Sequence, residues 1–269
     1  STSDEMQQIA MNITPKLTEL ENDISLNPEL FARVKAVYDQ RKKLKLDEQD
    51  MQLLEDTYKG FARSGALLEG KDKELYREYS SELSQLTLKF GQNAQAATNA
   101  FSYNITDPAK VEELPAFVKE GLAAEAEARG EKGWTVTLHA PSYSPFMTYS
   151  TQRDIKEALY RAYNTRGIGG ETDNVENIRR IAELRLKIAN LLGYKCYADY
   201  VLEDRMAEST KTVNGFLAEL NKATLSYAKK DVAAITEYAH SLGFEGELAP
   251  WDFGYYNEKY KEAKYAIND

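Results

Sequence analysis

Two histidines, His139 and His240, are the scarcest side chains in this sequence that could bind a metal or transfer a proton. A zinc peptidase helix typically carries H-E-x-x-H, because imidazoles one turn apart bind the metal while the glutamate activates water. Ala-Pro follows His139 and Ser-Leu follows His240, so neither histidine can supply this motif. We interpret His139 as a surface or edge histidine at the end of a strand.

Glu237 and His240 form a Glu-x-x-His pair on a predicted helix. Ferritin-like di-iron proteins combine two such pairs with two further glutamates, and one pair supplies only half of that site. We therefore interpret these two residues as neighbours on a solvated helix face. The single cysteine, Cys196, excludes an intrachain disulfide and a multi-cysteine metal site, and a packing role is expected for it. The sequence predicts no catalytic, cofactor-binding or metal-binding residue in these 269 positions.

The glycine-rich run GIGGETDN, residues 167–174, resembles a phosphate loop only in its glycine count. It lacks the Gly-Lys-Ser/Thr ending, and no strand is predicted before it. We predict that one helix ends at Gly167 and that Thr172 or Asp173 caps the next helix. The alternative is a mobile loop beside a cleft.

Tyrosine is abundant, with 18 residues, and several lie close together in the sequence. Tyrosine fills a core while its hydroxyl reaches solvent or a backbone carbonyl, so packing is one interpretation of these groups. A peptide-binding groove lined by tyrosines is the other. The residues concerned are Tyr194, Tyr197, Tyr200, Tyr255, Tyr256, Tyr260 and Tyr265.

The charge balance argues against a nucleic-acid partner. The chain carries 34 Lys and Arg against 43 Asp and Glu, a formal net charge of −9, whereas phosphate binding requires clustered basic residues. Hydrophobic residues make up 42% of the chain, which is enough for a folded core. The apolar runs are far shorter than the ~20 residues that a membrane span needs, so no membrane partner is expected.

Apolar residues at three- and four-residue steps predict helices along most of the chain. Asn27, before Pro28, and Asp47 are predicted N-caps. Helical patterns cover 4–24, the segments after Asn27 and Asp47, 71–101, 151–167, a segment ending at Gly193, 197–206, a long helix from Thr210 or Thr212 to Gly243, and the segment after Pro250.

Between these helices, 101–106 and 133–141 are rich in aromatic and β-branched residues and are predicted to be strands. A helical segment closed by Gly130 separates them, and 144–150 is a third, possible extended segment. The predicted fold class is mainly α, roughly two-thirds helix, with one small β element. We predict an N-terminal helical group at 1–100, the β element with its inserted helix at 101–141, and a second helical group at 142–269.

Several collinear stretches, taken together, resemble the peptidyl-dipeptidases (dipeptidyl carboxypeptidases) of the thimet oligopeptidase family of zinc metallopeptidases. RGIGGETDN and LLGYKCYADYVLEDRMA are the most specific of them. The others are LNPELFARVKAVYDQRKKL, LLEDTYKGFARSGA, ELSQLTLKFGQNAQAATNAF, TQRDIKEALYRAYNTRGIGGETDN and LAPWDFGYYNEKYKEAKY.

The resemblance implies a zinc-dependent parent protein that acts on short peptides and releases C-terminal dipeptides. Family members are far longer, and their zinc helix, a further glutamate ligand and substrate-contacting tyrosines lie beyond the stretch that matches up to Asp269. No catalytic residue of the family therefore maps onto this chain. We expect an interior fragment that lacks the catalytic half, forms one wall of a substrate channel, and is by itself inactive and without zinc.

A non-catalytic helical binding module is the alternative function. The compartment is left open, with the cytoplasm favoured and the periplasm as the other option. If a catalytic half is missing, side chains that faced it become exposed. We expect that exposure in the C-terminal segment, at Trp251, Phe253, Tyr255, Tyr256 and Tyr260.

Overall fold

The computed structural model describes residues 3–266, which form two compact units. The first unit combines the residues up to Gln92 with Asn174–Asn214, and the second combines Asn93–Asp173 with the residues from Gly215 onwards. Each unit is thus built from two separate stretches of the chain. The predicted division into groups at 1–100, 101–141 and 142–269 stays a prediction.

The described residues contain eleven α-helices and one pair of strands, and 73% of these residues are helical, which confirms the predicted fold class. None of these helices is both long enough and apolar enough to cross a membrane. The elements are α1 (Asp4–Ser25), α2 (Pro28–Gln40), α3 (Glu48–Arg63), α4 (Gly70–Ala100), β1 (Ser102–Ile105), α5 (Ala116–Ala128), β2 (Trp134–Thr137), α6 (Ala140–Tyr149), α7 (Arg153–Asn164), α8 (Val175–Leu191), α9 (Tyr197–Leu202), α10 (Thr210–Ser241) and α11 (Pro250–Tyr265).

Side-chain caps begin two helices where the sequence predicted them. Asn27 Oδ1 accepts the backbone N–H groups of Glu29 and Leu30, each at 3.0 Å. Asp47 Oδ1 accepts the backbone N–H of Asp50 at 2.8 Å. Each contact satisfies an N–H group that has no partner within its own helix.

The two predicted strands pair in antiparallel register, from Ser102 opposite Thr137 to Ile105 opposite Trp134. Gly133, just before β2, has a φ of +89°, and a Cβ there would lie 2.2 Å from the carbonyl oxygen of Ile105. Only glycine fits this close approach. The apolar face of this strand pair belongs to the core of the second unit with residues of α5, α6 and α7, including Leu122, Phe146, Ile155 and Leu159.

Two local predictions were wrong. The segment 144–150 is not extended, because α6 runs through Tyr149, with a proline in its first turn and Phe146 fully buried in the core. The N-cap of α8 is Asn174 rather than Thr172 or Asp173. The Asp173 carboxylate instead accepts the backbone N–H of Gly169 at 2.9 Å, within the loop.

The expected exposure of the C-terminal aromatic residues was also wrong. Trp251, Phe253, Tyr255, Tyr256 and Tyr260 are all partly buried, because α11 packs against α6 and α7. The large exposed apolar side chains are concentrated instead on α10 and on α1. On α1, the predicted stripe is between 42% and 58% exposed: Met6, Ile9, Ile13, Leu17, Leu20 and Ile24.

Candidate functional site

A buried carboxylate, Asp252, joins α7 to α11 in the second unit. It is 1% exposed, and Arg153 donates from Nε to its Oδ1 at 2.9 Å and from Nη2 to its Oδ2 at 3.0 Å. The backbone N–H of Ala249 also donates to Oδ2, at 2.9 Å. The hydrogen bonds to Asp252 raise the pKa of Arg153. Two-pronged pairing and a helix N-terminus together offset the cost of burying this charge.

Lys156 lies one turn further along α7 and is 2% exposed. Its Nζ lies 4.9 Å from the centroid of the Tyr255 ring. Burial lowers the pKa of Lys156 to about 8, and the Asp252 carboxylate opposes that shift only in part. The ammonium is therefore held by an aromatic face and by nearby negative charge, in a setting where loss of its proton is easier than in water.

Tyr255 also lines a cavity of about 320 Å³ in the same unit. Phe117 and Tyr149 line it too, with their rings edge to face at a centroid distance of 6.1 Å. Glu113 Oε1, also in the lining, accepts from the backbone N–H and the hydroxyl of Thr151, at 3.0 and 2.9 Å. The cavity thus combines aromatic walls with positioned carboxylates, a combination suited to holding a small polar ligand.

A second cluster surrounds Arg63 of α3 in the first unit. Arg63 donates to Glu203 at 2.6 Å and to the carbonyl of Tyr200 at 2.7 Å, and its guanidinium lies 4.4 Å from the Tyr200 ring centroid. The Tyr194 hydroxyl donates to Glu203, and the Tyr200 hydroxyl donates to the Arg63 carbonyl. These tyrosines therefore fix the segment around α9 onto α3, as the packing interpretation requires.

The first unit also has a groove of about 840 Å³ between α1 and α4, with many hydroxyl groups in its lining. The Thr18 hydroxyl donates to Ser84 at 2.9 Å, and Asn22 Nδ2 donates to Ser80 at 2.9 Å. The polar side of α1 therefore faces α4, while its apolar stripe is exposed. The hydroxyl contacts connect two helices and form no nucleophile–base pair.

The glycine-rich loop at 167–174 is held by polar contacts at its end. Asn174 is buried and donates to the carbonyl of Phe90 at 3.0 Å, and Asn177 donates to Asn174 Oδ1 at 2.8 Å. Gly169, with a φ of +76°, gives its N–H to the Asp173 carboxylate. Because that carboxylate is itself an anion, the loop disfavours a phosphate at this amide.

The donor atoms considered for a metal have other contacts. His240 Nε2 lies 2.8 Å from the carbonyl oxygen of Gly246, and Glu237 is exposed. Cys196 Sγ donates to Asp199 at 3.3 Å, and His139 is exposed at the start of α6. Across residues 3–266, no three His, Cys, Asp or Glu side chains come together as a group that could hold a metal ion. The residues present therefore do not fit a catalytic zinc site, which needs three such ligands.

Sequence reasoning did not single out Arg153, Lys156 or Asp252. The ion pair joins residues 99 positions apart, which no local pattern reveals. One weak signal existed: an aspartate at the third position of a helix that starts with proline is a common arrangement at helix N-termini.

Comparison with known proteins gives a consistent result. The model of peptidase family M3 matches residues 146–269. Oligopeptidase A of Haemophilus influenzae is 31% identical over 272 residues, which is 99% of this chain and 40% of that protein. Oligopeptidase A of Escherichia coli is 30% identical with the same coverage, and dipeptidyl carboxypeptidase of Escherichia coli is 30% identical over the whole of this chain and 40% of its own length. The chain thus spans about 40% of the length of these relatives.

Proposed function

We infer that this chain belongs to the thimet oligopeptidase family, peptidase family M3, and we propose that the whole protein is a zinc-dependent peptidase. Its substrates are short peptides, from which it releases C-terminal dipeptides. The observation that carries this proposal is the alignment of essentially the entire chain with oligopeptidase A and with dipeptidyl carboxypeptidase. The zinc ligands belong to a part of the whole protein outside these residues, because the side chains described here do not fit that site.

In this proposal the 269 residues form a wall of the substrate channel and are inactive alone. The Arg153–Asp252 pair supports that role, because a wall that excludes folded proteins must hold its helices in fixed positions. The cavity beside Tyr255 supports it as well, since aromatic walls and carboxylates such as Glu113 suit contacts with peptide groups.

A non-catalytic helical binding module is the second candidate. One observation favours it: the cavity beside Tyr255 has aromatic walls and carboxylates, and no hydroxyl or thiol in the contacts described above donates to a histidine. A module of this kind would hold a peptide without cleaving it. The two candidates differ in what the complete reading frame encodes beyond Asp269.

The test compares the full-length gene product with the 269-residue chain, each purified away from host proteases. Quenched fluorescent peptides with a free C-terminus and with an amidated C-terminus serve as substrates. We expect the full-length protein to remove dipeptides from the free C-terminus, with loss of activity in chelator and recovery with zinc, while the shorter chain shows no turnover.

Each other outcome has a definite meaning. Equal cleavage of the amidated peptide would indicate that the protein cleaves peptides internally and does not release C-terminal dipeptides. A full-length protein that binds these peptides without cleaving them would favour the binding module. Chelator-sensitive turnover by the 269-residue chain would contradict the proposal that this part is inactive.

A further inference from the structure

The long helix α10 has an exposed segment in its first two-thirds. Every residue from 214 to 233 is exposed, a helical length of ~30 Å. Helices in proteins owe most of their stability to the packing of an apolar face rather than to intrinsic helix propensity. Among the described residues, this segment has little apolar packing of that kind.

The exposed segment has a well-defined apolar face. Leu217, Leu220, Leu225 and Val232 are between 46% and 52% exposed, and Phe216 and Tyr227 are more exposed still. Lys222, Ser226 and Lys229 fall on the opposite side of the helix. Such a separation of apolar and polar residues is typical of a helix that packs against a partner.

The same face is already used further along α10. Ile235 and Ala239 follow Val232 at three- and four-residue steps, and both are buried in the second unit. The apolar face thus continues from a covered part to an open part. Asp231 is the one charged residue between 216 and 232 that helical geometry places on the face, and its neighbours one turn away, Tyr227 and Ile235, are uncharged.

We propose that the open face of α10, defined by Leu217, Leu220, Leu225 and Val232, is the docking site for an apolar-faced helix from the remaining length of the same polypeptide. That helix carries a lysine or arginine opposite Asp231. The relatives are about two and a half times as long as this chain, and α10 lies inside the segment matched by the family model. A partner within the same chain has a high effective concentration, which favours it over a second copy.

The proposal rests on the proposed function only in taking the whole protein to be as long as its relatives. Amide hydrogen exchange of 214–233 is measured in the 269-residue chain and in the full-length gene product. We expect exchange in the full-length protein to be slower by at least about 100-fold, because a docked helix opens only with its partner.

Substitutions separate docking from general stability. Leu217→Glu and Leu220→Glu place a charge on the face, and Ser226→Glu places the same charge on the opposite side. We expect the first two to restore fast exchange in the full-length protein and Ser226→Glu to leave exchange slow. None of the three should shift the melting temperature of the 269-residue chain, because all three positions are exposed there. A variant that unfolds the chain would show a lowered melting temperature and is thereby distinguished from a variant that only prevents docking.

Equal exchange in the two proteins would overturn the proposal. Protection in the 269-residue chain that rises with its concentration would overturn it in favour of a second copy, and a gene product that ends at Asp269 would overturn it as well. Peptidase activity is measured on the same samples. Slow exchange without activity would contradict the proposed function alone, and activity with fast exchange would contradict only the docking site.

Discussion

Arg153 and Asp252 form a bidentate ion pair that joins the start of α7 to the first turn of α11. The two partners differ sharply in environment, since the Arg153 side chain is 52% exposed and the Asp252 side chain is 2% exposed. The carboxylate therefore depends on the pair more than the guanidinium does. Losing the arginine would leave a buried charge, whereas losing the aspartate would leave a cation that water can reach.

Replacement of Arg153 should therefore destabilise the second unit. We expect Arg153→Met to lower the free energy of unfolding by about 3 kcal/mol, because it leaves Asp252 buried without its cation. Arg161→Met is the matched control, since Arg161 is on the same helix with a largely exposed ion pair to Glu157 and should cost about 0.5 kcal/mol. Unfolding in guanidinium chloride measures the free energy of unfolding of both variants. An equal loss in the free energy of unfolding for the two variants would show that the buried pair contributes no more to stability than the exposed pair.

The pKa of Lys156 predicts a pH dependence of stability. Its folded-state pKa, about 8, is below the ordinary value of 10.5, so the unfolded chain binds more protons between these limits. Below about pH 8 the folded protein must bury a charged ammonium, which lowers the free energy of unfolding. As the pH increases from about 8 to 10.5 this cost is removed, so the free energy of unfolding should rise.

Lys156→Met should remove that dependence and stabilise the protein at pH 7, because a methionine side chain fills a similar space without burying a charge. Lys132→Met, at an exposed lysine of the same unit, should leave the pH profile unchanged. Unfolding midpoints recorded from pH 7 to pH 10.5 provide the test. A profile of Lys156→Met that rises as steeply as the parent profile would refute this assignment.

Gly133 should tolerate no side chain. A Cβ at this position would approach the Ile105 carbonyl oxygen to 2.2 Å at a φ of +89°, so we expect Gly133→Ala to cost about 3 kcal/mol or more. Gly130→Ala is the matched control, with a φ of +71° and no atom within 4 Å of the added Cβ, and should cost about 1 kcal/mol. Thermal unfolding of the two variants distinguishes backbone strain from the steric clash.

Arg63 should contribute strongly to the stability of the first unit. Its side chain is mostly buried and contacts Glu203, the Tyr200 carbonyl and the Tyr200 ring, so Arg63→Ala should cost about 2–3 kcal/mol. Lys59→Ala, which removes the exposed pair with Asp204, should cost clearly less than Arg63→Ala. Proteolysis within 194–203 should accelerate only in Arg63→Ala. Unchanged cleavage there would show that other contacts hold the segment.

The sequence by itself determined the helices and the two short strands, together with the family resemblance. Asn27 and Asp47 cap their helices through bonds to residues two or three positions away, and the strands at 102–105 and 134–137 have the expected aromatic and β-branched composition. The capping bonds are local, and strand composition is likewise a property of a short window of sequence, so both can be identified without the tertiary structure.

The tertiary structure decided which faces are covered and which charges meet. The segment 144–150 is helical because Phe146 completes the core of the second unit, and Arg153 meets Asp252 only after α7 and α11 pack together. The stripes on α1 and α10 predicted helices correctly, yet both are largely exposed, whereas Lys156 is buried. Periodicity identifies an apolar face, but burial depends on residues far away in the chain that come to lie against it.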